Sequence, residues 1–169
     1  MIHTYKGAVP VVGEDVYMSE GTHIIGNVTI GDQVNIWFGT VIRGDGNHIT
    51  IGRGTNIQDN STVHISRDWP TIIGEDVTVG HNCIIHACTI ADECLIGMGA
   101  TILDGAVIGE GSIVGANSLV TMNKKFPPHS LIIGSPAKVV RSLTEDERQT
   151  IKDSALHYIN YAATYRKEQ

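Results

Sequence analysis

Bulky aromatic side chains are scarce, with two Phe and two Trp among 169 residues. That excludes a core of stacked rings, yet 41% of the residues are hydrophobic, so the interior must be built from aliphatic and small side chains. Basic residues are also few: 12 Lys and Arg stand against 18 Asp and Glu, a formal net charge of -6. Nucleic acid and anionic membrane surfaces reward clustered positive charge, so neither is expected as a partner. No apolar run approaches the roughly 18 residues that span a bilayer. The opening stretch MIHTYKGAVP lacks a basic segment followed by an apolar one, and the expectation is a soluble, cytoplasmic protein acting on a small molecule. Cysteine is limited to Cys83, Cys88 and Cys94, an odd number, and in a reducing compartment no disulfide is expected. The length suits one domain with an appendage.

Against these absences stands a repeat. Aliphatic residues recur every six positions at Val12, Met18, Ile24, Ile30, Ile36 and Ile42. The register resumes at Ile51, Ile57 and Val63, then at Ile73, Val79 and Ile85, and finally runs from Ile90 through Ile96, Ile102, Ile108 and Val114 to Val120. Four residues after most of these sits a small or β-branched residue, such as Thr22, Val34, Thr40, Ser61, Cys83, Cys94, Ala100 or Ser118; the same count reaches Gly46 and Thr89, and only Arg67 and Lys124 break the rule. A six-residue period matches neither a helical stripe nor a heptad. It suits short flat strands joined by tight corners, with the aliphatic residue inward and the small one at the turn. Three extra residues between Ile42 and Ile51, four between Val63 and Ile73, and one missing between Ile85 and Ile90 mark where chemistry should be sought.

The pattern resembles that of the hexapeptide-repeat proteins, in which three hexads make one coil of a left-handed parallel β-helix. The resemblance implies a mainly β fold of about six to seven coils, with coils about 4.8 Å apart. Residues 1–140 are read as the β-helix, with a last rung around Ile133 and Ala137. Residues 141–169 are read as a C-terminal helix packed on it or on a neighbour. Thr144 with Glu147 three residues on forms a capping box, and Ile151, Ala155, Ile159 and Ala162 give the helix an apolar stripe.

Hexads three apart share a face. His64 and His86, each the second residue of its hexad, therefore stack one coil above the other, close enough to bind one ion. His81 falls on the preceding face, on the order of 15 Å from His86 along an extended strand, too far for joint ligation. Only another chain can bring His81 to the pair, and a ring of three closes that heterologous contact. Arg43 and Asp45 lie one coil below His64, while Gln58 and Asp59 lie one coil below His81. A trimer closed through these faces sets Arg43 opposite Asp59. Three imidazoles with an open fourth position make a catalytic rather than a structural zinc arrangement, and imidazole also suits Fe(II) or Co(II).

The segments VIRGD, NIQDN and VTVGHNCIIHAC, at these spacings, resemble the gamma-class carbonic anhydrase family, especially its short bacterial members. The resemblance implies reversible hydration of CO2 to bicarbonate by metal-bound hydroxide at trimer interfaces. A bound zinc ion lowers the pKa of water to about 7, a value taken from carbonic anhydrase on another fold. It assigns His64, His81 and His86 to the metal, Arg43, Asp45 and Asp59 to trimer closure, and Gln58, supported by Asn56, to orienting hydroxide or bicarbonate. Tyr158 aligns with a tyrosine that reaches the site from the helix. Two features depart from the family's archetypal active member: Gly46 stands where it has a glutamate, and the stretch after His64 is short. Asp68, Glu75 and Asp76 are the acids left to export a proton.

The alternatives are an acyltransferase on the same fold, a CoA-thioester hydrolase, and a catalytically silent metal-binding trimer. His3, His23, His48, His129 and His157 are read as outward surface residues. Cys83 and Cys94 are read as core, and Cys88 as open between packing and a redox-sensitive role beside His86.

Overall fold

The structure, a computed structural model, describes residues 1–168. Short parallel strands stack into three faces of a β-helix of the six-residue repeat. One face climbs through Met18, Ile36, Ile57, Val79, Ile96, Val114 and Ile132, each paired with the next. A second climbs through Ile24, Ile42, Val63, Ile85, Ile102 and Val120. The third runs from Val12 through Ile30, Ile51, Ile73, Ile90 and Ile108 to Phe126. The second and third faces belong to one sheet because the strands His23–Ile30 and Val41–Ile51 continue round the corner between them. Every aliphatic register position of the repeat meets its expected partner.

The twelve largest fully buried side chains are all isoleucines. A β-branched residue suits this ladder because its single preferred rotamer fits a pleated surface, and each buried isoleucine is worth about 1.5–3 kcal/mol. The inward small slot holds Thr22, Val34, Thr40, Ser61, Cys83, Cys94, Ala100 and Ser118 as expected. At the register breaks the slot is set by the distance to the following strand. Ile49, Thr71 and Cys88, each two residues before the next inward aliphatic, are buried there, whereas Gly46 is exposed and Thr89 only half-buried.

The repeat also outruns Val120. Phe126 and Ile132 continue it by two hexads, and the inward residue of the last rung is Ile132, fully buried, not Ile133, which is 43% exposed. Ala137 does join the core. The strand Ala137–Ser142 then folds back antiparallel on Ser130–Gly134 and closes that face.

The helix Glu145–Glu168 begins at the expected capping box. The Glu147 amide donates to Thr144 Oγ1 at 3.3 Å, and the Thr144 amide donates to Glu147 Oε2 at 2.9 Å. Ile151, Ala155 and Ala162 are buried against the first face, over Tyr17, Asn35, Asn56 and Thr78. Tyr17 and Trp37 meet Tyr158, Tyr165 and Ala162 beneath the helix, so the few aromatic rings gather outside the isoleucine core. Among the described residues no helix is long and apolar enough to cross a membrane.

Candidate metal centre

Arg43, His64 and His86 occupy one column, paired strand to strand. Gly44, between Arg43 and Asp45 in the strand Val41–Ile51, admits a close backbone approach: a Cβ there would stand 2.5 Å from the Asn27 carbonyl oxygen. Thr71, fully buried at the end of the four-residue insertion, donates to the His64 carbonyl and accepts from the Ala87 amide at 3.0 Å. One hydroxyl thereby ties down the backbone after both histidines.

The ring nitrogens His64 Nδ1 and His86 Nε2 face each other at 3.1 Å. The opposite nitrogen of each ring is engaged by a carboxylate. His64 Nε2 donates to Asp45 Oδ1 at 3.0 Å, and His86 Nδ1 donates to Asp104 Oδ1 at 2.6 Å. Ionised carboxylates only accept, so these bonds fix both tautomers and leave two lone pairs pointing at one another. Two facing lone pairs at that distance are relieved by a positive charge between them, either a proton or a metal ion. A metal ion backed by carboxylate-anchored imidazoles meets that need, and the carboxylates raise ligand basicity. His81 repeats the scheme, with Asp59 Oδ2 at 2.7 Å from its Nδ1 and its Nε2 left as the free nitrogen. It lies on the neighbouring face, beyond the strand Thr78–Val79. Among the described residues no three His, Cys, Asp or Glu side chains of one chain converge on a single point. The donor set therefore fits a metal as two imidazoles on one edge of the chain and a third on another.

Asp104 escaped the sequence reading, although it follows Ile102, which stacks directly on Ile85, the residue before His86. Asp45, which the resemblance assigns to trimer closure, holds both His64 and Arg43 within the chain. Burial alone would raise its carboxyl pKa, but the hydrogen bonds from His64 and Arg43 outweigh that and lower it. Within the chain Arg43 reaches Asp45, and Asp59 reaches His81. Glu75 and Asp76 are both tied to Arg53, at 3.4 and 3.1 Å, whereas Asp68 stays exposed in the loop after His64. Gly46 faces Ile65 closely enough that a Cβ would stand 3.2 Å from its Cδ1.

Gln58 is buried and donates through Nε2 to Asn56 Oδ1 at 3.1 Å. It shares a cleft of about 240 Å³ with Thr78, His81, Met98, Ser154 and Tyr158. Burial, then the nearby charge of Asp59, then Tyr161, pushes the Tyr158 hydroxyl pKa up, so it remains a neutral donor. The helix thus brings Tyr158 beside Gln58 and His81, while its ring also packs edge-on against Trp37.

Of the histidines read as surface residues, His48, His129 and His157 are exposed. His3 and His23 are instead half-buried and bonded to each other, Nε2 to Nδ1 at 3.0 Å. With no carboxylate on either ring, that pair is an ordinary N–H to N bond. Cys88 is buried and its thiol pKa is pushed up to about 12 by burial, which removes it as a redox-sensitive neighbour.

Fold and site together define a hexapeptide-repeat protein with carboxylate-backed histidines. Residues 87–121 match the family model for the bacterial transferase hexapeptide (six repeats), and residues 70–103 match that for the hexapeptide repeat of succinyl-transferase. A carbonic anhydrase of Geobacillus kaustophilus is 46% identical over 169 residues, covering 100% of this chain and 93% of its own length. Gamma carbonic anhydrase 2, mitochondrial, of Arabidopsis thaliana is 45% identical over 94% of this chain, which spans 59% of that longer protein. A solved structure from Anaplasma phagocytophilum, described as a hexapeptide transferase family protein, superposes with a TM-score of 0.94 at 42% identity, covering 98% of each chain. The chain belongs to the gamma-class carbonic anhydrase family.

Proposed function

We propose that this protein is a metal-dependent carbonic anhydrase that interconverts CO2 and bicarbonate at the interfaces of a homotrimer. The observation that carries the reading is the pair of facing lone pairs on His64 and His86, each fixed by its own carboxylate, with a third such imidazole on another face. Zinc, Fe(II) or Co(II) held by His64, His86 and His81 of the partner subunit would act as a Lewis acid that makes water nucleophilic near neutral pH.

The chain's own groups do the rest. Asp45, Asp104 and Asp59 keep the three imidazoles in the tautomers that leave a lone pair free. Gln58, its Nε2 committed to Asn56, turns its carbonyl oxygen and second N–H toward the cleft, where they orient the oxygens of bicarbonate. Tyr158 donates from the opposite wall. Leu95, Ile96 and Met98 line the same cleft with apolar surface suited to uncharged CO2. Arg43, exposed, and Asp45, half-buried, at the edge of one face, and Asp59, at the edge of another, supply the charges that would close the ring of three.

Complementation between chains tests this. His64→Ala and His81→Ala proteins, prepared without oxygen and loaded with Zn, Fe(II) or Co(II), are each expected to be inactive in stopped-flow CO2 hydration. When the two are co-refolded, about a quarter of the wild-type sites should reappear, because a mixed ring contains one interface with all three imidazoles. Wild-type protein that binds metal but shows no hydration would sink the reading. It would favour a CoA-thioester hydrolase using the same metal, or a catalytically silent metal-binding trimer.

A further inference from the structure

The cleft has a buried polar floor that the reaction itself leaves unexplained. Asn56 is fully buried and Thr78 nearly so, yet both side chains are partnered. Asn56 Nδ2 donates to Thr78 Oγ1 at 2.9 Å and to the Val77 carbonyl at 3.5 Å. A carbonyl only accepts, so the Asn56 amide has one possible orientation and its Oδ1 must face Gln58. Thr78 Oγ1, which accepts from Asn56, also shares a hydrogen bond with Ser154 Oγ, 3.1 Å away on the C-terminal helix, in which either hydroxyl can donate. The donors run from Gln58 to Asn56 to Thr78, whose hydroxyl is joined in turn to Ser154, and linked bonds of this kind strengthen one another.

The coil below shows what the arrangement is without the helix. Asn35 lies directly under Asn56 in the ladder, and its Oδ1 accepts from Trp37 Nε1 at 2.8 Å, two residues on, as Asn56 accepts from Gln58. There Asn35 Nδ2 finds only the Gln33 carbonyl at 3.5 Å, and the Tyr17 hydroxyl beneath it is buried with no partner. The column above Thr78 turns apolar at Leu95. Among the described residues, only the Asn56 level of this column is joined through a hydroxyl to the helix.

We infer that Thr78 and Ser154 are positioning residues for Gln58: the C-terminal helix, through this relay, holds in place the Asn56 amide to which Gln58 Nε2 donates. Ser154 lies one helical turn before Tyr158, and both line the cleft, so docking of one helix face places two polar groups at once. The functional weight of the relay rests on the proposed role of Gln58; its geometry does not.

The test separates the two. Thr78→Val removes the hydroxyl at constant shape, Thr78→Ser keeps it, and Ser154→Ala breaks the link from the helix side. In the intact 15N-labelled protein, the side-chain amide signals of Gln58, assigned by their loss in Gln58→Ala, report its bonding directly. Hydrogen exchange of the Gln58 amide should speed up about tenfold in Thr78→Val, the loss of one buried bond, and less in Ser154→Ala. Thr78→Ser should restore the wild-type rate. Unchanged Gln58 signals and exchange in both Thr78→Val and Ser154→Ala would overturn the inference. CO2 hydration is the second readout: kcat/KM falling in Thr78→Val and recovering in Thr78→Ser extends the relay to catalysis. If exchange changes while the kinetics of an active enzyme do not, the positioning stands and the role given to Gln58 falls.

Discussion

At the scale of single residues, the centre depends on which nitrogen of each ring is engaged. The faces that His64, His81 and His86 occupy were legible in the sequence because the six-residue register assigns each residue a face. Asp104 was not, because only the stacking of Ile102 on Ile85 brings it from the coil above to His86. Asp104→Asn should weaken metal binding by about 10–100-fold, read by competition with a chelator, with little change in the far-UV circular dichroism. The thiols give a second check. Burial holds Cys83 at about 11 and Cys88 and Cys94 at about 12, so at pH 8 a thiol reagent should label none of the three in native protein and all three in denaturant. Rapid native labelling of Cys88 would mean that the corner after His86 opens.

Elements were legible where the repeat is pure and obscure where a rung departs from aliphatic chemistry. Phe126 and the two prolines after it hide the last coils from a search for Ile and Val, although Phe126 pairs with Ile108 as a regular rung. The register there can be checked directly. Ile132→Ala should cost about 2–5 kcal/mol in chemical denaturation, against under about 1 kcal/mol for its neighbour Ile133→Ala. The helix start carries the chain's clearest pH dependence. Bonds from Arg141 and from the Thr144 amide hold the Glu147 carboxyl at about 2, below its ordinary 4.5. A folded-state pKa below the unfolded one adds stability that is complete above 4.5 and is lost as the pH falls toward 2. Helix amides near Thr144 should therefore lose hydrogen-exchange protection across that interval, and Glu147→Gln should flatten the dependence while weakening protection at neutral pH. The aromatic cluster under the helix was not legible, because Tyr17, Trp37 and Tyr165 are brought together by helix docking rather than by any spacing in the chain.

For the molecule as a whole, the two imidazoles of the pair stand on adjacent rungs of a ladder whose isoleucine core and backbone bonds do not involve them. Small metal-folded domains behave differently, since ligand binding there is the folding event and chelators unfold them. Here a chelator should lower the melting temperature only through mass action, leaving the circular dichroism at 25 °C unchanged; unfolding on chelation would show that the ladder needs its ion. The four residues inserted between Val63 and Ile73 leave His64 in register with His86, so the loop can vary in length and charge without moving either ring. A centre assembled in this way is finished before its occupant arrives. An ion held there would be a tenant rather than a beam: one metal could give way to another with no refolding between, and supply in the cell would weigh beside the imidazole ligands in deciding which metal is in residence.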